Sequence, residues 1–199
     1  MTAPFAFPTI PHLAPSQGTP DDTFMDLPES MAVLPRTSVV QPKRDGLNLG
    51  ARLFEGEVEV VLKDRPPNDR EWKALERFRA EVAPRLALLE AEGEHTLFGE
   101  LDAAAPDVSS WFVFDAFDER KGRFLCHERV TSLALGLGLQ AMPGVHEGPV
   151  RSLEELDHIL EADPNLEGLV LRCEDRGHVE RFKYVRQGFR KSAWRLGGS

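Results

Sequence analysis

The chain has only two cysteines and no long apolar run, which argues against disulfide-rich and membrane-spanning proteins. Its 199 residues include two cysteines, Cys126 and Cys173, which lie far apart and lack CxxC spacing. This pattern indicates neither a disulfide framework nor a zinc ribbon, and it fits a reduced compartment. No run of about 18 apolar residues occurs, and the N-terminus lacks the basic start and apolar core of a signal peptide. We therefore expect a cytoplasmic protein with no membrane partner.

Short motifs of several common enzyme classes are also missing. There is no GxxxxGK phosphate loop and no GxSxG, and the six histidines show no HExxH or other paired spacing. A P-loop enzyme, an α/β-hydrolase and an intrinsic zinc site are therefore not indicated. The stretch GLGLQA at 136–141 matches a dinucleotide-binding GxGxxA. It follows a helical pattern and runs into Pro143-Gly144, whereas the fingerprint requires a strand before it and a helix after it.

Charge is unevenly distributed along the chain. The formal net charge of −9 argues against indiscriminate coating of nucleic acid. Residues 172–195, here called the basic strip, nevertheless hold eight arginines and lysines against three acids. A basic strip in an acidic chain predicts one side that faces anions, with an ordinary solvated cluster of charges as the alternative.

The length suits one compact domain with short extensions. Residues 1–36 carry seven prolines and little periodicity, which predicts an extended lead-in packed on a domain at 37–190, with a short tail at 191–199. Alternating β-branched and aromatic residues predict strands at 38–53, 57–62, 95–101, 110–117, 166–174 and 179–186. The segment 55–57 is predicted to form a tight turn, and the last two strands a hairpin around 175–177.

Helices are predicted between pairs of strands. Apolar spacing indicates a helix at 69–92, capped by Asp69 and kinked or split at Pro84, and others at 128–139 and 152–161. Ser152 followed by Glu155 has the spacing of a capping box. This order favours an α+β fold with antiparallel sheets over an alternating arrangement of strands and helices.

The stretch VVQPKRDGLNLGARL at 39–53 places a lysine, Lys43, just before an Asp-Gly pair that suits a turn. A lysine nucleophile must lose its proton, and at an ordinary pKa of about 10.4 only a very small fraction is neutral at pH 7. Arg44 and the basic strip are cations that could lower such a pKa. Taken alone, the short pattern K-x-D-G fits an exposed turn lysine better than a nucleophile.

Four later segments accompany this lysine. The lysine lies in KRDGLN at 43–48, and the later segments are, in order, FGEL at 98–101, FVFD at 112–115, EGLVLR at 167–172 and RFKYVR at 181–186. Together they resemble the signature motifs of the covalent nucleotidyltransferase superfamily, most closely the ATP-dependent RNA ligases of the phage RNA-ligase-2 type. The lead-in at 7–22 also resembles the segment before the nucleophile in these ligases. The resemblance implies a ligase adenylylation-domain fold, with antiparallel sheets and flanking helices around an ATP cleft.

The resemblance also implies a reaction and its residues. Lys43 would attack the α-phosphate of ATP to form a lysyl-AMP, the AMP would pass to a 5′-phosphate end, and a 3′-hydroxyl would seal the strand. Glu100 and Glu167 would hold Mg²⁺ or Mn²⁺, since hard cations prefer oxygen ligands, and Lys183 would neutralise the triphosphate. The catalytic residues implied are Lys43, Lys183 and Glu167.

The nucleotide would be held by a wider set of side chains. Phe114 would stack on the adenine, and Arg181 stands where the family usually has a lysine, which keeps the charge but not its compact geometry. The full set implied for nucleotide binding is Asp45, Gly46, Asn48, Arg65, Glu100, Phe114, Arg181 and Arg186.

The resemblance also implies binding partners, and it leaves alternative functions open. The partner would be RNA ends, with a nicked duplex or DNA left open, and an accessory protein for strand binding is a further expectation. Only 13 residues follow Arg186, so no C-terminal OB-fold is expected, and self-adenylylation should exceed autonomous end joining. The alternatives are nucleotidyl transfer of the capping type, or a degenerate nucleotide- or RNA-binding module, which Arg181 and Pro42 favour.

Overall fold

The structure, a computed structural model, describes residues 6–63, 65–89, 94–102 and 106–189. Within these ranges the chain forms two compact units. The first unit contains residues 6–8 and 46–142, and the second contains residues 9–45 and 143–189. The predicted tail at 191–199, the end of the predicted helix at 90–92 and the basic-strip positions 190, 191 and 195 lie outside the described residues.

Ten strands and five α-helices make up the regular structure of the described residues. The strands are β1 (Val39–Lys43), β2 (Leu47–Phe54), β3 (Glu57–Leu62), β4 (His95–Leu101), β5 (Trp111–Asp118), β6 (Arg123–Phe124), β7 (Gln140–Ala141), β8 (His146–Glu147), β9 (Gly168–Asp175) and β10 (His178–Val185). The helices are α1 (Leu27–Val33), α2 (Asp69–Ala74), α3 (Glu76–Ala87), α4 (His127–Gly136) and α5 (Leu153–Glu161). None of these helices has the length and apolarity needed to span a bilayer.

The first unit is built on one sheet with helices packed on one of its faces. Its strands run in the order β3-β2-β4-β5-β6, and β7 pairs with the β5 strand. One face of the sheet forms a core with α3 and α4, because the apolar residues of α3 recur at the helical spacing of Phe78, Val82 and Leu86. The ring of Phe78 meets Trp111 of β5 edge to face, with centroids 5.1 Å apart. Asn48 and Glu100 alternate with the core residues Leu49 and Leu101, so they lie on the opposite face of the sheet.

The second unit is built on a smaller sheet in the order β10-β9-β1-β8. One face packs on α1 and α5 through alternating apolar residues, among them Val40, Leu169, Leu171, Phe182 and Tyr184. Tyr184 also donates its hydroxyl proton to Asp157 of α5 at 2.8 Å. Burial and the neighbouring Asp157 carboxylate raise the pKa of the Tyr184 phenol. The hydroxyl therefore stays protonated, and its hydrogen bond links β10 to α5.

Most of the predicted strands are confirmed, but the single strand predicted at 38–53 is wrong. The chain leaves β1 after Lys43 and begins β2 at Leu47, and these two strands belong to different sheets. Alternation continues on both sides of the break, so the pattern does not reveal it. The predicted turn at 55–57 is confirmed, with positive φ at Glu55 and Gly56. So is the final hairpin, with positive φ at Arg176 and Gly177.

Two helix predictions need correction. The helix predicted at 69–92 breaks at Leu75 and not at Pro84, which lies inside α3. Its cap is Asn68 and not Asp69: the Asn68 side chain accepts the Glu71 N–H at 3.0 Å, and the Glu71 carboxylate accepts the Asn68 N–H at 2.9 Å. The lead-in, predicted as extended, contains α1, which opens with a similar capping box at Asp26 and Glu29.

The α+β class is confirmed. Strand pairing in both sheets of the described chain is antiparallel except for the short parallel pair of β5 and β7. Helices flank each sheet, as expected for this fold.

Candidate active site

Lys43 is the last residue of β1, and its ammonium contacts the buried carboxylate of Glu167. The β1–β9 register places Lys43 opposite Gly168, the residue after Glu167. Lys43 Nζ donates to Glu167 Oε2, with the lysine side chain 22% exposed and the glutamate 1% exposed. Two of the three predicted catalytic residues are therefore in direct contact. A charge-assisted hydrogen bond of this kind fixes the amine at one end of the sheet.

Gly168 lets the strand after Glu167 approach its neighbour closely. A Cβ at this position would lie 2.3 Å from the carbonyl oxygen of Tyr184 and 2.9 Å from the Cα of Val185. Both atoms belong to the backbone of β10, so no side-chain rotation can relieve the clash. The glycine of the EGLVLR segment therefore has a packing reason that is independent of any ligand.

Lys183, the third predicted catalytic residue, lies in β10 and forms an ion pair within the second unit. Its Nζ donates to Asp22 Oδ1 at 2.9 Å, and the two side chains are 18% and 19% exposed. Asp22 belongs to the lead-in and was not among the predicted residues. The only sequence signal for it is the Thr-Pro-Asp-Asp turn composition, and that gives no hint of a partner 161 positions away.

Two arginines of the basic strip are engaged within the second unit. Arg181 is buried, its guanidinium donates to the carbonyl of Val179 at 3.3 Å, and it stands opposite the buried Arg172 in the β9–β10 register. Arg172 in turn donates to Glu174 at 2.9 Å. These side chains do not form the solvated cluster that was the alternative for the strip.

Arg186 binds the end of α5, a contact that the sequence does not indicate. Its guanidinium donates to the carbonyl oxygens of Leu160, Asp163 and Leu166, at 2.5, 3.1 and 3.3 Å. These carbonyls lie at and just after the C-terminal end of α5, where helical carbonyls lack partners within the helix. The nucleotide contact expected for Arg186 stays a prediction.

The first unit places Gly46, Asn48 and Glu100 side by side. Asn48 of β2 is directly opposite Glu100 of β4, and Glu100 is opposite Phe112 of β5. A Cβ at Gly46 would lie 2.8 Å from the Leu101 carbonyl oxygen and 3.0 Å from Glu100 Cγ, so the glycine leaves room for this carboxylate. Asn48 Oδ1 is buried and accepts no hydrogen bond within the described part of the chain. Asp45, which precedes Gly46, belongs to the second unit and is half-buried.

Phe114 sits at an irregularity in the first unit's sheet. Phe98 pairs with Asp115 and Gly99 pairs with Val113, so Phe114 is the extra residue of a β-bulge. Its ring meets that of Phe7 edge to face, with centroids 5.1 Å apart. Bulges re-aim side chains near active sites, which agrees with the predicted role for Phe114. That role in stacking adenine stays a prediction.

Arg65 follows β3 and forms a two-pronged ion pair. Its two terminal nitrogens donate to the Glu71 carboxylate at 2.8 Å each. The hydrogen bond from Arg65 lowers the pKa of Glu71, and the Asn68 N–H adds to this. Arg65 is half exposed, and its predicted contact with the nucleotide stays a prediction.

The donor set suits a hard cation bound together with phosphates. No group of three or more histidine, cysteine or acidic side chains with metal-site geometry occurs in the described ranges. Mg²⁺ is commonly held by one or two carboxylates plus phosphate and water oxygens. Glu100 and Glu167, each considered in its own unit, fit this limited role.

A family model and several solved structures of RNA ligases match this chain. A family model described as RNA ligase matches residues 36–185, about three quarters of the chain. The structure of Naegleria gruberi RNA ligase with PPi is 18% identical with a TM-score of 0.60, covering 80% of this chain and 52% of that one. A mutant of that ligase with ATP and Mn gives the same values.

A further mutant of the same ligase, with AMP and Mn, is 15% identical with a TM-score of 0.60 and covers 92% of this chain and 61% of that one. At these identities the likeness confirms the expected fold and nothing finer. The chain spans about half the length of the first of these ligase structures. A comparison with curated protein sequences found no match.

Proposed function

Because the chain belongs to the RNA ligase family, we propose that it is an ATP-dependent RNA ligase that acts through a lysyl-AMP intermediate. The observation that carries the proposal is the contact between Lys43 Nζ and the buried Glu167, inside the segment that the family model matches. The substrates would be ATP and RNA ends, with a nicked duplex or DNA as further candidates.

The first step forms one bond and breaks one. Lys43 Nζ, after losing a proton, attacks the α-phosphorus of ATP, so that a P–N bond forms as the P–O bond to pyrophosphate breaks. Glu167 Oε2 is in contact with Nζ and is placed to orient the amine. Lys183 would stabilise the developing charge on the phosphates. A divalent cation, with Glu100 and Glu167 as candidate ligands, would neutralise further phosphate charge.

The remaining steps pass the AMP onward. The 5′-phosphate of an RNA end attacks the lysyl-AMP and releases Lys43, and a 3′-hydroxyl then displaces AMP to form the phosphodiester. The structures of Naegleria gruberi RNA ligase with PPi, with ATP and Mn, and with AMP and Mn support the choice of substrate and cation. In the first unit, Asn48, Arg65 and Phe114 are the proposed nucleotide contacts.

The test is covalent labelling of the protein. Wild type, Lys43→Ala and a control variant, Lys73→Ala in α2, are incubated with Mn²⁺ and ATP labelled at the α-phosphate, then denatured. We expect label on wild type and on the control, and none on Lys43→Ala. Label from γ-labelled ATP should be absent, because pyrophosphate leaves in the first step. Adding a nicked duplex with a 5′-phosphate should discharge the label and give sealed strand.

Three results would reject the proposal. An unlabelled wild type that still binds ATP would indicate the binding module considered as an alternative. Equal labelling of Lys43→Ala would place the adduct on a different residue. Transfer of the label to a triphosphate or diphosphate RNA end, without sealing, would instead indicate the capping type of reaction.

A further inference from the structure

The lead-in is hydrogen-bonded to β10 at Lys183 itself. The Lys183 N–H donates to the Pro11 carbonyl at 2.9 Å, and the Leu13 N–H donates to the Lys183 carbonyl at 2.9 Å. Residue 12 therefore lies alongside Lys183 as an added piece of parallel strand. The residues of the lead-in near this point are positioned by the same strand that carries the lysine.

The carboxylate of Asp22 is held on both of its oxygens. Oδ1 accepts the Lys183 Nζ proton at 2.9 Å and lies 3.1 Å from His12 Nε2. Oδ2 accepts the backbone N–H and the hydroxyl of Thr19, at 2.8 and 2.9 Å. Burial acts to raise the pKa of Asp22, but the hydrogen bonds from Lys183 and Thr19 lower it more, and the net pKa lies far below the ordinary value. The group is therefore a fixed negative charge.

Packing behind Asp22 restricts where this charge can move. The ring of His12 is buried and stacks on that of Phe24, with centroids 4.8 Å apart. The His12 N–H donates to the Thr23 carbonyl at 2.7 Å, and the His12 carbonyl accepts the Met25 N–H at 2.9 Å. A Cβ at Gly18 would lie 2.6 Å from the Phe24 ring and 3.0 Å from the His12 ring. These contacts connect the chain on both sides of Asp22 to the buried His12.

A lysine ammonium sits on four rotatable bonds and has no preferred position of its own. Stabilising a phosphate in a transition state requires a charge that is already in place, because reorganisation during the reaction costs rate. We propose, on the basis of the ligase function proposed above, that Asp22 is a positioning residue that fixes the Lys183 ammonium for adenylyl transfer. The lead-in thereby contributes to the reaction through Lys183.

The test measures single-turnover labelling of Lys43 by α-labelled ATP over a range of ATP concentrations. The variants are Asp22→Asn, which keeps the shape and removes the charge, Asp22→Glu, which restores the charge, and Asp21→Asn as a matched control in the same loop. We expect Asp22→Asn to lower the maximal rate by about 10- to 100-fold, with less than about a threefold change in half-saturating ATP. Asp22→Glu should recover part of the rate, and Asp21→Asn should match wild type.

A double-mutant cycle separates positioning from general stability. If Asp22 acts through Lys183, Asp22→Asn should change the rate less than about twofold in a Lys183→Ala background, because the two effects are then not additive. All rates are measured where circular dichroism shows each variant folded, so a loss of stability cannot imitate a loss of rate.

Three outcomes overturn the inference. An unchanged rate in Asp22→Asn means that Lys183 needs no positioning. A faster rate means that Asp22 competes with phosphate for the ammonium. A full additional loss in the Lys183→Ala background means that Asp22 acts elsewhere. An unlabelled wild type would instead reject the ligase proposal itself, so the two failures are distinguishable.

Discussion

At Gly168 the backbone of the neighbouring strand occupies the space that a side chain would need. A Cβ there would be 2.3 Å from a backbone oxygen, a contact that only a shift of β9 against β10 can relieve. We expect Gly168→Ala to lower the free energy of unfolding by about 1–3 kcal/mol, the usual cost of overpacking. Urea unfolding followed by circular dichroism would measure it. Because Glu167 is the preceding residue, labelling of Lys43 should also slow.

The matched control is Gly136→Ala at the end of α4. A Cβ at this glycine has no neighbour within 4 Å, and alanine favours a helix over glycine by up to about 1 kcal/mol. This variant should be as stable as wild type or slightly more so. Equal destabilisation of the two variants would contradict the packing explanation for Gly168.

Single residues of the site differ in how well the sequence predicts them. Lys43 and Glu167 occur in separate segments that resemble family motifs, and the structure brings their side chains into contact. Asp22 could not be predicted, because its role depends on a partner 161 residues away and on a turn formed by Thr19. Arg186 was assigned by its place in a motif, whereas its contacts depend on where α5 ends.

The end of α5 is held by one side chain, that of Arg186, the residue just after β10. Arg186 donates to three carbonyl oxygens around this end, with Leu160 as the nearest acceptor. A hydrogen bond that involves a charged group contributes about 1.5–3 kcal/mol to the free energy of unfolding. We expect Arg186→Ala to lower the free energy of unfolding by about this amount, measured by thermal or urea unfolding. If Arg186 acts only through these carbonyls, the half-saturating ATP concentration for labelling should stay within about twofold of wild type.

Arg151→Ala, in the exposed segment just before α5, is the control and should leave stability almost unchanged, as exposed surface substitutions usually do. A large rise in half-saturating ATP for the folded Arg186→Ala protein would support the nucleotide contact predicted from the sequence. It would count against a purely structural role for this arginine.

Elements were predictable where the pattern is local. The β2–β3 turn, the β9–β10 hairpin and the Ser152 cap each depend on neighbouring residues, and all three are confirmed. The division between β1 and β2 was not predictable, because sheet membership depends on distant partners: β1 pairs with β9, and β2 pairs with β4. The helix break at Leu75 was not predictable from the apolar spacing, which continues from α2 through the buried Leu75 into α3.

The whole molecule should lose stability as the pH falls into the acid range. Burial acts to raise the pKa of Asp22, but the hydrogen bonds from Lys183 and Thr19 lower it by more, so the net pKa is lowered. The hydrogen bond from Arg65 likewise lowers the pKa of Glu71. A carboxyl group whose pKa is lowered in the folded state contributes its full stabilisation at a pH above its pKa in the unfolded state, which is 3.8 for Asp22. This stabilisation is lost as the pH falls toward the pKa of the folded state. Stability should therefore be level above about pH 5 and decline below it.

Urea unfolding at a series of pH values would measure this decline. Asp22→Asn should be less stable than wild type at pH 7. The difference should shrink below about pH 4, where Asp22 becomes protonated in the unfolded wild type. Asp21→Asn should run parallel to wild type throughout. A difference between Asp22→Asn and wild type that is constant with pH would mean that the charge of Asp22 contributes no stability.

The path of the chain through the second unit has a consequence for synthesis on the ribosome. Strand β1 pairs with β8 on one edge and with β9 on the other, and its partners in β9 lie about 130 residues later. The β2–β3 hairpin and β4 of the first unit can pair in the order in which they emerge, since their loops are shorter and close at lower entropic cost. The strand that carries Lys43 therefore leaves the exit tunnel before either of the strands that pair with it. Because unpaired strand edges promote aggregation, we expect β1 to be a site of aggregation in a nascent chain of this protein.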